Sequence, residues 1–554
     1  MSDLEQKLYD AALAAVKAVY GLEPEPGQLL IESPKDPRLG DYATSLAMKM
    51  ARTLRKPPLE IAEALAGELR ARLPEAESVT VARPGFLNFR MKKDALSAVI
   101  ATAIAAGDDY GRNSSGQGKK VLVEWVSANP TGDLHRGHAR NAAWGDSLCR
   151  LLEASGYRVL REYYVNDAGN QIVMLGKSLV ARYFEHFGRG AEQPLPENGY
   201  HAEDVRQIAE DIAAEEGDRW LDADERERLE HFMAVGKARE LDKIRRDLEL
   251  YRVRFDSWMH ETYFYEDDMA RIRAVLDRMA ELGLTYEQDG ALWFRSSQYG
   301  DEKDRVLRKS DGTLSYLTPD IANHVHKVER GWPFLVDLWG ADHHSYVIRM
   351  QAALTALGYP QGTLAVDLIQ MVRMVEKGVE VKMSKRTGNA ITIRELCEDV
   401  GVDAARWSFA AKDVSTHMDL DLDLLRARDN DNPVYYAQYA HARMCSILSN
   451  PKMPPFVPRE QYDRLHEEKE LQLLKLIGQF PDVVAEAAAL RKPNKLTDYI
   501  LGLVKIFHAY YNSVKVYEPT DPDLTQQRLG LIVALKTVLR NALALVGVSA
   551  PESM

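Results

Sequence analysis

Apolar residues recur three and four apart near the start of the chain (Leu4, Leu8, Ala11, Leu13, Val16, Val19), spacing that predicts a helix over 3–20. A second helical run is expected from Tyr42 to Leu73, broken at Pro57–Pro58, where proline removes the donor and restricts the residue before it. The pattern then changes period. In SVTVARPGFLNFRM apolar and polar positions alternate as in a half-buried strand, and a further helix is expected near 93–106. The turn-rich stretch GDDYGRNSSGQGKK, 107–120, closes this first region.

An apolar run from Val121 to Val126 follows, then a Pro/Gly turn, a helix from about His138 and, after Gly156, the strand-like YRVLREYYV. Strand, loop, helix and strand make a βαβ unit, which implies a parallel sheet with ligands at the carboxyl ends of its strands. Residues 170–285 are charged and helical in pattern and read as an insertion or connecting layer. Apolar strands return at PFLVDLWGADHH and TLAVDLIQMVRMV, and from about 430 to the end the pattern is almost wholly helical.

A length of 554 residues predicts three or four domains, and 45% apolar with 28% charged residues is ordinary globular composition. The acidic start MSDLEQKLYD has no apolar core of a secretory signal, and no run of 18 apolar residues suggests a membrane span. Cys149, Cys397 and Cys445 stand far apart, with neither a disulfide framework nor zinc-ligand spacing. A cytoplasmic protein without membrane contact is therefore expected. The net charge of −12 does not decide on a nucleic-acid partner, because phosphate binding depends on local patches.

Two short constellations carry chemistry. In His135-Arg136-Gly137-His138 two histidines stand three residues apart at a strand-to-helix turn, where they can face one anion beside a helix N-terminus. Gly137 lets a ribose or base approach the backbone. A plain helix cap is the alternative; zinc would need further ligands at local spacing. In Lys382-Met383-Ser384-Lys385-Arg386 three cations on a segment flanked by Gly378 and Gly388 suit a triphosphate whose charge builds on the leaving pyrophosphate. A solvated basic loop is the alternative. Together, in this order and roughly 250 residues apart, the two are far more specific than either alone.

H-x-G-H followed by K-M-S-K resembles the paired signature of the class I aminoacyl-tRNA synthetases. EWVSANPTGDLHRGHARNAAWGD, YVNDAGNQI, DGTLSYLTPDIANH, WGADHHSY, DNPVYYAQYAHAR and the terminal LVGVSAPESM resemble, in order, segments of the arginyl-tRNA synthetase family, and GDYAT and RPGFLNF resemble its N-terminal domain. The resemblance covers essentially the whole chain. It implies an α/β fold: a Rossmann-like parallel-sheet catalytic domain at 120–390 with a helical insertion at about 170–285. An N-terminal tRNA-contacting α+β domain at 1–110, a linker or stem-contact region at 391–430 and an all-α anticodon-binding bundle at 431–554 complete the expectation. It further implies ATP with Mg2+ as the substrate complex, an arginyl-adenylate intermediate, tRNA(Arg) and L-arginine as partners, no protein-bound metal, and a monomer.

The resemblance also assigns residues. His135, His138, Lys382 and Lys385 are the expected catalytic groups, and Gly137, Asp342, His343, Met383 and Ser384 the ATP-binding ones. Around the arginine substrate it places Glu124, Ser127, Asn129, Tyr316, Asp320 and His344. A guanidinium is a planar fork of donors that never loses its charge, so carboxylates should meet it; Asp320 is the expected bidentate partner and Tyr316 the cover. The bland alternatives are a helix N-cap for Asp320 and a structural ion pair for Glu124. Asn166 and Gln171 are candidate supports. Phe86, Asn88, Tyr436, Tyr439, Arg443 and Tyr511, with the terminal Met554, are the expected tRNA contacts; the alternative for the aromatics is the core. The chain departs from the family pattern at Asp133, where proline is common, at Arg136, where a small apolar residue is usual, and at Pro319, where arginine is frequent. Arg136 must reach solvent, a carboxylate or phosphate, because a buried unpaired cation is costly.

Overall fold

The computed structural model describes residues 3–25, 27–32, 34, 36–381 and 391–554. Lys382, Met383, Ser384 and Lys385 lie outside the described residues.

The N-terminal region comprises α1 (Asp3–Tyr20), β1 (Tyr42–Thr44), α2 (Leu46–Leu54), α3 (Pro58–Arg72), β2 (Ala76–Ala82), β3 (Phe86–Met91) and α4 (Lys93–Ala106). Tyr42–Thr44 is a strand and not the start of the expected helix. It pairs antiparallel with β3 because Gly40, at φ +117°, lets the chain pass where a Cβ would sit 2.7 Å from the Phe89 carbonyl. The alternating run expected as one strand is the hairpin β2–β3, which turns at Arg83–Gly85; alternation continues through both strands and hides the reversal.

The central unit runs β4 (Lys120–Glu124), α5 (Arg136–Ala154), β5 (Arg158–Val165), α6 (Asn170–His186), α7 (Glu203–Glu216), α8 (Glu225–Leu250) and β6 (Ser257–His260). It continues with α9 (Glu266–Glu281), β7 (Thr285–Gln288), β8 (Ala291–Phe294), β9 (Arg305–Arg308), α10 (Leu317–Glu329), β10 (Phe334–Gly340), α11 (His344–Ala356) and β11 (Leu364–Ile369). The five-stranded sheet is parallel throughout in the order β11-β10-β4-β5-β6, the Rossmann-type arrangement. Its strand order reverses between β4 and β10, where an open parallel sheet leaves a crevice at the carboxyl ends. β6 falls inside the stretch expected to be wholly helical. Its four residues, SWMH, give no β-branched run to find it by.

The antiparallel sheet β7–β8–β9 was not expected at all, although Asp289 (φ +52°) and Gly290 (φ +74°) are a hairpin signal that could have revealed it. TLAVDLIQMVRMV divides between sheets. β11 ends at Ile369, and β12 (Val372–Glu376) joins β13 (Val379–Glu380) and β14 (Met418–Asp421) in a separate small sheet. Around β14 lie α12 (Ile393–Val400), α13 (Val402–Ala410) and α14 (Leu422–Arg426); α12 opens with a reciprocal cap between Thr392 and Glu395. The chain ends in α15 (Pro433–Leu448), α16 (Glu468–Ala489), α17 (Asn494–Ser513) and α18 (Pro522–Leu545), packed through buried residues such as Leu473, Leu503 and Leu535.

Helix α10 docks on the sheet by charge as well as by apolar contact. Asp337, Glu124 and Glu162 stand at one level across β10, β4 and β5. Three like charges in register repel, and α10 answers them: Lys327 bonds Glu124 at 2.5 Å and Asp337 at 3.4 Å, while Arg330 reaches Glu162 at 2.6 Å.

Candidate active site

A cleft of about 1020 Å³ opens at the carboxyl ends of β4, β5 and β10. On one side His135 caps α5: its Nδ1 accepts the Gly137 N–H at 3.1 Å, and the His138 Nδ1 accepts the His135 N–H at 3.2 Å. The rings stack 3.9 Å apart. A ring nitrogen that accepts from the backbone cannot carry the proton, so both imidazoles bear theirs on Nε2. Burial lowers both histidines, His138 to about 3, and each is lowered further by a neighbouring charge. The pair is therefore neutral at neutral pH and presents two Nε2–H donors, while the first N–H groups of α5 are already taken, that of Arg136 by the Ile391 carbonyl and that of Gly137 by His135.

The floor between the strands is strained. Val126 and Ser127 follow β4 with φ of +65° and +40°, a region that costs a β-branched residue about 1–3 kcal/mol. Asn141 holds this turn, accepting the Val126 N–H at 2.9 Å and donating to the Leu338 carbonyl at 3.0 Å. One amide thus ties the end of β4 to that of β10. Ser127 donates to Glu124 at 3.1 Å and accepts the Tyr164 N–H at 3.0 Å, while Asn166 donates to the Ser127 carbonyl at 3.3 Å. Asn129 donates to Gln171 at 2.7 Å.

The far end is acidic. Glu124 is buried in the pair with Lys327, so the structural ion pair is present whatever else the residue does. Burial pushes its carboxyl up in spite of Lys327, whereas Lys327 and His324 hold Asp337 low against the same cost. His324 bonds Asp337 at 2.8 Å and the Asp320 carbonyl at 2.7 Å. Asp320 lies in the first turn of α10 rather than at its N-cap; its carboxylate accepts from the Tyr346 hydroxyl, and burial raises it. Glu261, just beyond β6, is raised to about 7 by burial and then by Asp320. The Tyr164 hydroxyl and the Asn323 Oδ1 are buried here with no hydrogen-bond partner among the described residues. Glu124, Asp337 and Asp320 stand against one ammonium, Lys327. Among the described residues the carboxylates of this region outnumber its ammonium, even with His324 beside Asp337.

Glu124, Ser127, Asn129, His135, Gly137, His138, Asp320, Asp342 and His343 all line this cleft. Tyr316 and His344 do not; Tyr316 is 91% exposed and covers nothing in this conformation. On the C-terminal region Tyr439, Arg443, Tyr511 and Met554 line a second depression of about 870 Å³, with the Arg443 guanidinium 4.7 Å from the Tyr511 ring and 5.0 Å from that of Tyr439. Tyr436 turns instead onto His508, 4.7 Å between ring centres. Phe86 is half-buried, and Asn88 is only 6% exposed in the middle strand of its sheet, neither a turn residue nor one with surface to offer RNA. Residues that the sequence reading missed are Asn141, Tyr164, Glu261, Asn323, Lys327 and Tyr346. Asn141, Tyr164, Asn323 and Tyr346 lie inside segments that carried the resemblance, whereas Glu261 and Lys327 lie outside all of them and carried no signal.

Three family models match: the arginyl tRNA synthetase N terminal domain at 4–91, the class I (R) tRNA synthetase catalytic domain at 99–423, and the DALR anticodon binding domain at 437–554. The arginine–tRNA ligase of Bacillus subtilis (strain 168) is 49% identical, over 98% of this chain and 97% of its own length. That of Geobacillus kaustophilus is 50% identical over the same shares. The arginyl-tRNA synthetase structure from Thermus thermophilus superposes with a TM-score of 0.73 at 23% identity, covering 100% of both chains; this likeness is one of fold.

Proposed function

The chain belongs to the class I arginyl-tRNA synthetases and is an arginine–tRNA ligase, and from that premise we propose how its residues divide the work. In the first step an oxygen of the arginine carboxylate attacks the α-phosphorus of ATP and pyrophosphate leaves with the electrons of the broken bond. In the second, a ribose hydroxyl at the 3′ end of tRNA(Arg) attacks the adenylate carbonyl, loses its proton, and AMP departs. No covalent enzyme intermediate is needed, so positioning and charge stabilisation carry the catalysis.

The guanidinium enters the acidic end, bidentate on Asp320 with Glu261 as second carboxylate, and the buried Tyr164 hydroxyl and Asn323 amide oxygen gain partners there. Glu124 supplies charge while remaining fixed by Lys327, and Ser127 and Asn129 hold the α-amino and carboxylate end. Tyr316 and His344 join the site by closing on bound substrate. The Nε2–H groups of His135 and His138 donate to the phosphates; Asp342 and His343 meet the ribose and base near Gly137. Lys382 and Lys385, with Met383 and Ser384, receive the leaving pyrophosphate, and Mg2+ arrives as part of the ATP substrate. Tyr439, Arg443, Tyr511 and Met554 form the anticodon-facing surface, with Phe86 at the outer corner of the tRNA; the enzyme works as a cytoplasmic monomer.

The observation that carries this reading is a cleft whose buried carboxylates outnumber their cations at one end and which is lined by neutral N–H donors at the other, the polarity that a cationic amino acid and an anionic nucleotide require. Charging of total tRNA with each labelled amino acid in turn tests it. Arginine alone should be incorporated; incorporation of another amino acid, or of none, rejects it.

A further inference from the structure

Two arginines on the first turns of α5 face the link between β11 and β12. Arg136 Nε donates to the Val372 carbonyl at 3.2 Å. Arg140, one turn on, donates to the Gln370 carbonyl at 2.8 Å, and also to Thr416 at 3.0 Å and Asp413 at 2.8 Å. The Met371 carbonyl between them accepts from the Met418 N–H at 3.4 Å, and the Gln370 N–H reaches the Val414 carbonyl at 2.9 Å. Three consecutive carbonyls therefore each have a fixed donor, two of them from the helix that begins with the histidine pair.

Arg140 is 0% exposed, and burial lowers it to about 10 with only Asp413 acting against the shift. A guanidinium kept at that cost is fixed by its geometry: a fork that reaches several carbonyls at once, which a lysine cannot do. The side chain between the clamped positions, Met371, is 74% exposed and lines the cleft, as does His417, which follows the clamped Thr416. An exposed, polarizable methionine on a fixed backbone is suited to lie against the face of a purine. The same helix start also pairs with the chain after the second motif, through Arg136 N–H to Ile391 at 3.2 Å, Ile393 N–H to Leu134 at 2.7 Å, and the bridge between His135 and Thr392.

We infer that Arg136 and Arg140 are positioning residues for ATP: their clamp on Val372 and Gln370 fixes the Met371–His417 wall of the cleft relative to His135 and His138, so that base and phosphates are held in one register. The inference rests on the division of the cleft proposed above. It accounts for Arg136, a cation where relatives of the family usually carry a small apolar residue, by giving it a backbone carbonyl to hold.

Pyrophosphate exchange in the full-length enzyme with tRNA present, measured against ATP and against arginine separately, tests it. Arg140→Lys should raise the KM for ATP about tenfold, the cost of misplacing one well-oriented contact, and leave the KM for arginine within about twofold. Arg136→Val should raise the KM for ATP about threefold, and the double variant should show less than the product of the two effects because both act on one link. Discrimination of ATP against GTP should fall in parallel, which a change confined to stability would not cause. If both KM values move together, or neither moves, the inference fails. Should Arg140→Lys not fold, Arg136→Val at the half-exposed helix start decides alone. A wild-type enzyme without arginine-dependent exchange would instead reject the proposed function, so the two failures are distinguishable.

Discussion

At the acidic end of the cleft, Glu124, Asp337 and Lys327 are buried together on β4, β10 and α10, and the charges are kept by pairing them. At the opposite end, burial has removed charge altogether: His135 and His138 are neutral, and their backbone bonds leave only dipolar donors. Both ends are made by desolvation, yet with opposite results. Where Lys327 and His324 both face it, the Asp337 carboxylate is held low in spite of burial; where the neighbour is another ring or Arg136, the imidazoles give up their protons. A permanently cationic amino acid is thus met by standing charge. In the proposed division, the triphosphate, whose charge grows on the leaving group, meets preorganised donors, with positive charge assigned to Lys382 and Lys385.

The largest expected effect is on the charged end. Asp320→Asn removes the proposed bidentate acceptor and should lower kcat/KM for arginine about 1,000-fold with the KM for ATP unchanged, because a site built for an ion pair loses both charge and geometry. Equal losses against both substrates would erase the contrast between the ends. Lys327→Met comes next and acts on stability. It leaves Glu124 and Asp337 side by side without their shared cation, and should cost about 3–5 kcal/mol in denaturant unfolding. A loss below about 1 kcal/mol would mean that the pair is solvated. At the neutral end, His138→Ala removes one donor and the acceptor of the His135 N–H, and should lower kcat for exchange about 100-fold, with no effect on the KM for arginine beyond a few-fold.

The same contrast explains what could be read without a structure. The histidine pair, its strand and its helix are contiguous, so spacing alone placed them. Lys327 and Glu124 are 203 positions apart, and nothing local to Lys327 marks it as the partner of a strand-end carboxylate. Glu261 was hidden for a related reason: it follows β6, a four-residue strand made by pairing with β5 rather than by its own composition. Asp320 was legible as a carboxylate but not as the acceptor of Tyr346, a contact across two helices. Asn88 shows the reverse failure. A residue assigned by likeness of segment is buried by β1 and β2 on either side, which the segment itself does not contain. Gly40 and the Asp289–Gly290 turn had local signals; the first was masked by helical-looking neighbours.

The smallest predicted effect separates the two ends by pH. Glu261 in the free enzyme sits at about 7, held there by burial and by Asp320, so much of it is protonated at neutral pH and below. In the proposed site, guanidinium binding uses the charged form of Glu261. The KM for arginine should therefore rise as pH falls below 7, by up to about tenfold per unit, the limit for one proton. The KM for ATP should not follow this profile, because both histidines are lowered from their usual value, His138 to about 3, and are already neutral at pH 7. Stability of the free enzyme follows the same linkage with the signs reversed between the two groups. A carboxyl raised from 4.5 to about 7 makes the folded state bind protons more tightly, so it lowers stability as pH rises through that window. A histidine lowered from 6.5 to about 3 makes the unfolded state the tighter proton binder, so stability is lost as pH falls through its window. Glu261→Gln should flatten the arginine profile at its low-pH level and remove the first term without touching the second. An arginine profile that still bends near 7 in that variant would assign the proton to another group and leave Asp320 as the sole guanidinium partner.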